Sequence, residues 1–318
     1  MKIGVIGLGY WGKKVVPEDV SMLSYKKIDQ LIIYDEEKKA MEKFKDISNV
    51  RMADNLDNLL EEVDGVHICT PNKTHFDLIM KAVTRNVNVL IEKPITKNSD
   101  EAFKLLETAL SRGLIFQVGN IFRFSNTMIQ IKKLLDSDII GKIHHMTFLW
   151  THLAPSSSSS EEDVIWDLMP HILDRINYFL GGWPKEIINT VAQQDNNNNN
   201  TEIINRSSDI LLYYSNDVYI LVRISLSSHK TTRDIEIQGG SGTIILNPVA
   251  QVAYLYKNGK QYDIPIDKNN TIYAEINNFI ECITEKKTKI NSAHLGALIV
   301  KEIEIIKRVE ENEYKRKI

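Results

Sequence analysis

The chain has 318 residues, enough for two domains at roughly 150 residues each. Its 39 basic and 42 acidic residues leave a net charge of −3. That excludes a polyanion binder, because phosphate binding needs clustered Lys and Arg. No apolar run approaches the ~18 residues of a membrane span, so no membrane partner is expected. Met1–Ile6 passes too quickly into Gly and Lys to read as a signal peptide. Cys69 and Cys282 could pair once but make no disulfide framework. A reducing cytoplasm is the expected setting.

In chain order, short apolar runs alternate with helix-like stretches. The runs Ile3–Ile6, Leu31–Tyr34, Gly65–Cys69, Val87–Ile91 and Leu114–Val118 read as buried strands. Phe76–Arg85 and Ser99–Ser111 carry apolar residues at helical spacing, the second capped by Ser99 or Asp100. This alternation predicts a doubly wound parallel sheet over residues 1–120. A different pattern fills residues 121–318. A helix is expected at Asn126–Ser137, a strand from Ile143 to Trp150, and a helix near Asp167–Leu180. Strands follow at Asp209–Tyr214, Val218–Leu226, Asp234–Gly239 and Thr243–Leu246, with a hairpin turn at Asn216-Asp217. Helices at Ile272–Glu285 and Ala293–Asn312 close the chain. The second domain is therefore α+β with an open, largely antiparallel sheet, and its last helix could pack back on the first domain. The runs Ser156–Ser160 and Asn196–Asn200 read as loops.

Gly7-Leu8-Gly9-Tyr10-Trp11-Gly12 follows the first strand and opens a helix, the context that turns a common glycine triplet into a dinucleotide-binding signal. Gly7 serves the tight turn, Gly9 the close approach of a pyrophosphate, and Gly12 the packing of helix on strand. Pro17 falls inside that helix and should kink or end it. Asp35 ends the second strand, where a carboxylate binds the ribose hydroxyls. A 2′-phosphate there would face Asp35, Glu36 and Glu37, which favours NAD, although Lys38 and Lys39 leave NADP open.

Taken with Cys69-Thr70-Pro71-Asn72 and His75, Glu92-Lys93-Pro94, Gly119-Asn120 with Arg123-Phe124, and Asp167…His171…Asp174, the chain resembles the glucose–fructose oxidoreductase, inositol dehydrogenase and rhizopine-catabolism (Gfo/Idh/MocA) family. The resemblance implies a Rossmann domain followed by an α/β domain, NAD(P)-dependent hydride transfer on a sugar, nucleotide sugar or cyclic polyol, and dimers or tetramers. It implies a cofactor pocket shaped by Tyr10 and Trp11 and bordered by Thr70, Pro71, Asn72, His75, Glu92 and Lys93. It also gives Lys93 a substrate-binding and proton-transfer role. Met169 departs from the small residue many members carry, and the serine run replaces a Gly-rich approach to the His171 helix.

Hydride transfer from a secondary alcohol needs a group that exchanges the hydroxyl proton, and Lys93 and His171 are the candidates. Asp167 stands four residues before His171, on one helix face with it. It could orient the imidazole or cap the helix, since Pro170 suits only a first turn. Asp174 could bind substrate hydroxyls or pair with Arg175 or another cation. Asn120 and Arg123 complete the substrate candidates. His75 could equally serve to start a helix. No His or Cys set has zinc spacing, so no metal is expected. Ile220, Val222, Ile224 and Leu226 alternate with Tyr219, Leu221, Arg223 and Ser225, which leaves one sheet face for self-association. Two other functions fit the same residues: a cofactor-bound sensor without turnover, and an NAD-dependent glycosidase.

Overall fold

The computed structural model describes residues 1–153, 163–195, 204–285 and 290–317. The runs Ser156–Ser160 and Asn196–Asn200 lie outside the described residues. The elements run β1 (Lys2–Ile6), α1 (Gly12–Ser24), β2 (Gln30–Tyr34), α2 (Lys38–Met41), β3 (Val50–Met52), α3 (Leu56–Glu62), β4 (Gly65–Ile68), α4 (His75–Thr84), β5 (Asn88–Ile91), α5 (Ser99–Ser111) and β6 (Phe116–Val118). They continue with α6 (Asn126–Asp136), β7 (Ile143–Leu153), α7 (Val164–Leu180), β8 (Glu186–Asp195), β9 (Ile204–Tyr214), β10 (Val218–Ser228) and β11 (Thr232–Gly239). The chain ends in β12 (Gly242–Asn247), β13 (Val252–Lys257), β14 (Lys260–Asp263), α8 (Thr271–Glu285) and α9 (Ala293–Lys317). No described helix is long and apolar enough to cross a membrane.

Two compact units result, and they do not follow a single cut at residue 120. Residues Asn270–Val300 cluster with Met1–Ile121, while Phe122–Asn269 cluster with Lys301–Ile318. Residues 270–300, expected within a 121–318 domain whose last helix could pack back on the first, thus cluster with the first unit. Their apolar side chains explain why: Ile276, Phe279 and Ile280 of α8 share one buried cluster with Ile3, Val5, Val15, Val16 and Leu31.

In the first unit the sheet order is β3-β2-β1-β4-β5-β6. All its pairings are parallel, which is the doubly wound order that opens a ligand crevice at the strands' carboxyl ends. The short β3 and α3 escaped the sequence reading. Their signals are local: the Asn55 side chain accepts from the Asn58 amide at 2.8 Å and starts α3. Helix α5 is capped by Asn98, which accepts from the Glu101 amide at 2.9 Å, rather than by Ser99 or Asp100. Helix α1 runs through Pro17 instead of ending there.

In the second unit eight strands lie in the order β14-β13-β12-β11-β7-β10-β9-β8. β7 and β10 are parallel, and the other pairs are antiparallel. Asp217 turns the β9–β10 hairpin at φ 60°. Helix α7 packs on β9 and β10, burying Ile220, Val222 and Ile224, whereas Leu226 is half-buried. On the alternate residues Tyr219 is 44% exposed, and Arg223 pairs with Asp209 across the strands at 2.6 Å.

Helix α7 starts earlier than expected. Asp163, not Asp167, is its cap: Oδ1 accepts from the Ile165 amide at 2.9 Å while Oδ2 holds Lys307 Nζ at 2.9 Å. Pro170 therefore lies in the helix interior, where it leaves the carbonyl one turn back without its usual donor.

Candidate active site

The glycine loop is built by close contacts. Gly7 has φ +89°, and a Cβ there would lie 2.7 Å from Thr70 Cγ2. At Gly12 a Cβ would stand 2.0 Å from the Gly7 carbonyl oxygen, so only glycine lets α1 begin so near the strand. Gly9 is different, since its missing Cβ would meet nothing within 4 Å. The loop is thus closed at Gly7 and Gly12 and open at Gly9, beside the N-terminus of α1. That combination fits a pyrophosphate approaching the backbone. Asp35 braces the loop: Oδ2 accepts from the Leu8 amide at 2.6 Å and Oδ1 from the Glu37 amide at 2.8 Å. Tyr10 is 79% exposed, and Lys14 Nζ donates to its hydroxyl at 2.8 Å while lying 4.0 Å from its ring centroid. Trp11 is half-buried.

Behind the loop, the turns after β4 and β5 are tied together by His75. Its Nε2 faces the Thr70 carbonyl at 2.9 Å, and its Nδ1 faces the Pro94 and Ile95 carbonyls at 2.9 and 3.2 Å. Asn72 adds a 2.7 Å bond from its amide to the Pro94 carbonyl. His75 is 1% exposed, so it clamps Thr70-Pro71 to Pro94 while its backbone begins α4. Burial lowers its pKa, against the pull of the Thr70, Pro94 and Ile95 carbonyls and of Glu92. Lys93 is half-buried and joined to Pro94 by a cis peptide. Asn120 is buried, and no described group bonds its side-chain nitrogen.

Glu92 packs over Gly119, where a Cβ would be 2.9 Å from its carboxylate, and its Oε1 lies 3.4 Å from His67 Nε2. Cys69 and the helix residue Asp19 share this buried region. Burial, with Glu92, Asp19 and Glu275 adding to it, pushes the Cys69 thiol up. Burial also raises Asp19 to about 7, opposed by His67 and reinforced by Glu18. The sequence reading named Cys69 and Glu92 in separate motifs but did not join them to His67 and Asp19, because the members come from α1, β4 and the turns after β4 and β5 and share no common spacing. An acid on the apolar face of α1 was the signal that pointed to the rest of the group.

In the second unit, α7 carries Asp167 and His171 one turn apart, both half-buried. The His171 ring meets Phe122 edge-on at 5.7 Å and Trp150 at 6.3 Å. Arg123 and Asp174, both substrate candidates, hold each other. Arg123 Nε donates to Asp174 Oδ1 at 2.6 Å, and Nη2 reaches Asn177 Oδ1 at 3.0 Å. Burial raises the Asp174 pKa, and Arg123 works against it. Asp174 thus takes Arg123 rather than Arg175 as its partner. Met169 is fully buried. Among the described residues His67, Cys69 and Glu92 form one group with the makings of a metal site, which the sequence spacing did not suggest.

Residues 1–120 match the family described as an oxidoreductase family with an NAD-binding Rossmann fold, and residues 128–245 match the GFO/IDH/MocA C-terminal domain. A 2,7-anhydro-N-acetylneuraminate hydratase of Mediterraneibacter gnavus is 29% identical over 191 residues, 58% of this chain and 51% of the relative. A UDP-N-acetylglucosamine 3-dehydrogenase of Acidithiobacillus ferrooxidans is 32% identical over 189 residues, 59% of this chain and 56% of the relative. These alignments span about half the length of the relatives. The solved structure of the latter enzyme superposes with a TM-score of 0.81 at 24% identity, covering 95% of each chain, a likeness of fold. With one match on the nucleotide-binding half and one on the sheet that follows, the chain belongs to the GFO/IDH/MocA oxidoreductase family.

Proposed function

We propose that this protein is an NAD(P)-dependent dehydrogenase that interconverts a secondary hydroxyl and a ketone on a sugar, nucleotide sugar or cyclic polyol. The observation that carries the reading is the glycine loop, open at Gly9 and closed at Gly7 and Gly12, at the carboxyl end of a doubly wound sheet. Gly7, Gly9, Tyr10, Trp11, Gly12 and Asp35 hold the dinucleotide, and Thr70, Pro71, Asn72, Glu92 and Lys93 border it, with His75 fixing their turns. The nicotinamide, when bound, accepts or returns the hydride. The chain's own part is the proton. Lys93 and His171 exchange it with the substrate hydroxyl, and Asp167 orients the imidazole from one turn earlier. Asn120, buried with no described group on its side-chain nitrogen, is a further substrate-binding group, while Arg123 and Asp174 hold each other and offer what polar capacity their pairing leaves. The two buried thiols, Cys69 and Cys282, suit a reducing cytoplasm.

NAD is the favoured cofactor, because a 2′-phosphate bound at the end of β2 would face the Asp35 carboxylate, and like charges brought together typically cost several kcal/mol. Calorimetric titration should give tighter NAD than NADP, with Asp35→Ser narrowing the gap; equal affinities in the unmutated protein reject the preference. NAD(P)H formation across a panel of sugars and polyols tests the reaction itself.

A redox-neutral outcome is the second reading, favoured by the relative named as a hydratase. Conversion of substrate without net NADH marks that case.

A further inference from the structure

Arg175 is the largest fully buried side chain in the described protein, at 0% exposure, and no described group bonds its Nε, Nη1 or Nη2. Its charge is met by rings instead. The guanidinium carbon lies 3.8 Å from the Phe122 ring centroid and 3.9 Å from that of Trp150. Those two rings meet at 87°, so the guanidinium nests in a right-angled aromatic corner. Ring faces offset a cation's charge but accept none of its five N–H bonds in ordinary geometry. The adjacent carboxylate, Asp174, is bonded to Arg123 at 2.6 Å. A second cation, Arg233, lies 4.5 Å from the Trp150 centroid. Burial and Arg233 together push the Arg175 guanidinium down, to about 9, despite Asp174.

Enclosing a guanidinium without hydrogen-bond acceptors is costly, and the ring contacts offset its charge without filling its donors. Its position suggests what it awaits. Arg175 follows His171 by one turn of α7, and His171 rests against the same two rings. The rise between them, about 6 Å, is a distance that a hexose ring spans.

Resting on the dehydrogenase reading above, we propose that Arg175 anchors an oxyanion carried on the substrate's sugar ring, so that the substrate is an acidic or phosphorylated sugar rather than a neutral one. The planar fork of donors matches a carboxylate or phosphate in two-point contact. Such a group would fill the donors while its ring presents a hydroxyl towards His171.

The test is the NAD-loaded protein with three matched substrates: a neutral hexose, its hexuronate and its 1-phosphate. Both kcat/KM from NADH formation and the thermal shift on binding are measured. At least one anionic sugar should exceed the neutral one by 30-fold or more in kcat/KM. The uronate and phosphate arms separate the two oxyanions. Arg175→Met should cut the anionic-to-neutral ratio roughly 10²-fold, whereas a merely structural arginine would lower both rates together and leave the ratio intact. Arg175→Lys should restore part of the ratio. Should Arg175→Met not fold, the unmutated protein still decides, since equal kcat/KM and equal thermal shifts for neutral and anionic sugars overturn the proposal. If no sugar yields NADH while only anionic sugars raise the melting temperature, the dehydrogenase reading fails and the Arg175 anchor stands.

Discussion

Lys93 and His171 are ordinary side chains, and the roles proposed for them rest on context: a lysine between Glu92 and Pro94 at a strand end, and a histidine one turn after an aspartate. Lys93→Met and His171→Ala should each lower turnover by about 10²–10⁴-fold. Their combined loss should fall short of the product, since groups acting as a unit are not additive. Single-turnover NADH formation with melting curves is the measurement, and a near-normal rate in either variant removes that residue from the mechanism. Asp19 makes a separate, pH-dependent claim. Its carboxyl rises from 3.8 to about 7 in the fold, so the native chain holds this proton more tightly than the unfolded chain. Its contribution is therefore whole below about pH 4 and is lost as pH rises through 7. Asp19→Asn should leave stability near that of the parent at pH 4.5 and raise it by about 2–4 kcal/mol at pH 8. Denaturant melts at the two pH values check this, and an equal change at both would discard the assignment.

At the scale of elements, the glycine loop separates packing from ligand contact. Gly12→Ala must displace the Gly7 carbonyl, 2.0 Å from the new methyl, so both melting temperature and NAD affinity should fall sharply. Gly9→Ala adds its methyl to open space and should keep the melting temperature within a few degrees while weakening NAD tenfold or more. Paired thermal melts and NAD titrations decide, and unchanged affinity in Gly9→Ala would dismiss the open face as the phosphate cradle. The loop and the long strands were legible because their information is local: a glycine pattern after Ile3–Ile6, and alternation in Val218–Ser228. What was not legible depends on contacts distant in sequence. Pro170 suggested a helix start, yet α7 begins at Val164 because Asp163 both caps it and binds Lys307. Arg123 and Asp174 read as substrate groups, yet 51 positions apart they satisfy each other. Arg175 read as a possible partner for Asp174, and nothing in its neighbours foretold a corner made by Phe122 and Trp150.

For the whole molecule, the eight-stranded sheet keeps a face bearing Tyr219, Leu221 and the Arg223–Asp209 pair, an aromatic and aliphatic surface suited to a second copy of the chain. Light scattering at micromolar concentration should give two or four times the chain mass, and Tyr219→Glu should shift it towards one; a strict monomer of the unmutated chain rules out association. The split make-up of the first unit acts at another stage of the protein's life. Ile276, Phe279 and Ile280 belong to the same buried cluster as β1 and α1, but the ribosome delivers them only after residues 122–269. At about 5–20 residues per second, the nascent chain waits roughly 10–35 s between residue 121 and residue 300. Through that interval the strip formed by Ile3, Val5 and Val16 has no α8 to cover it, so an apolar face that is buried in the finished fold stays open to water.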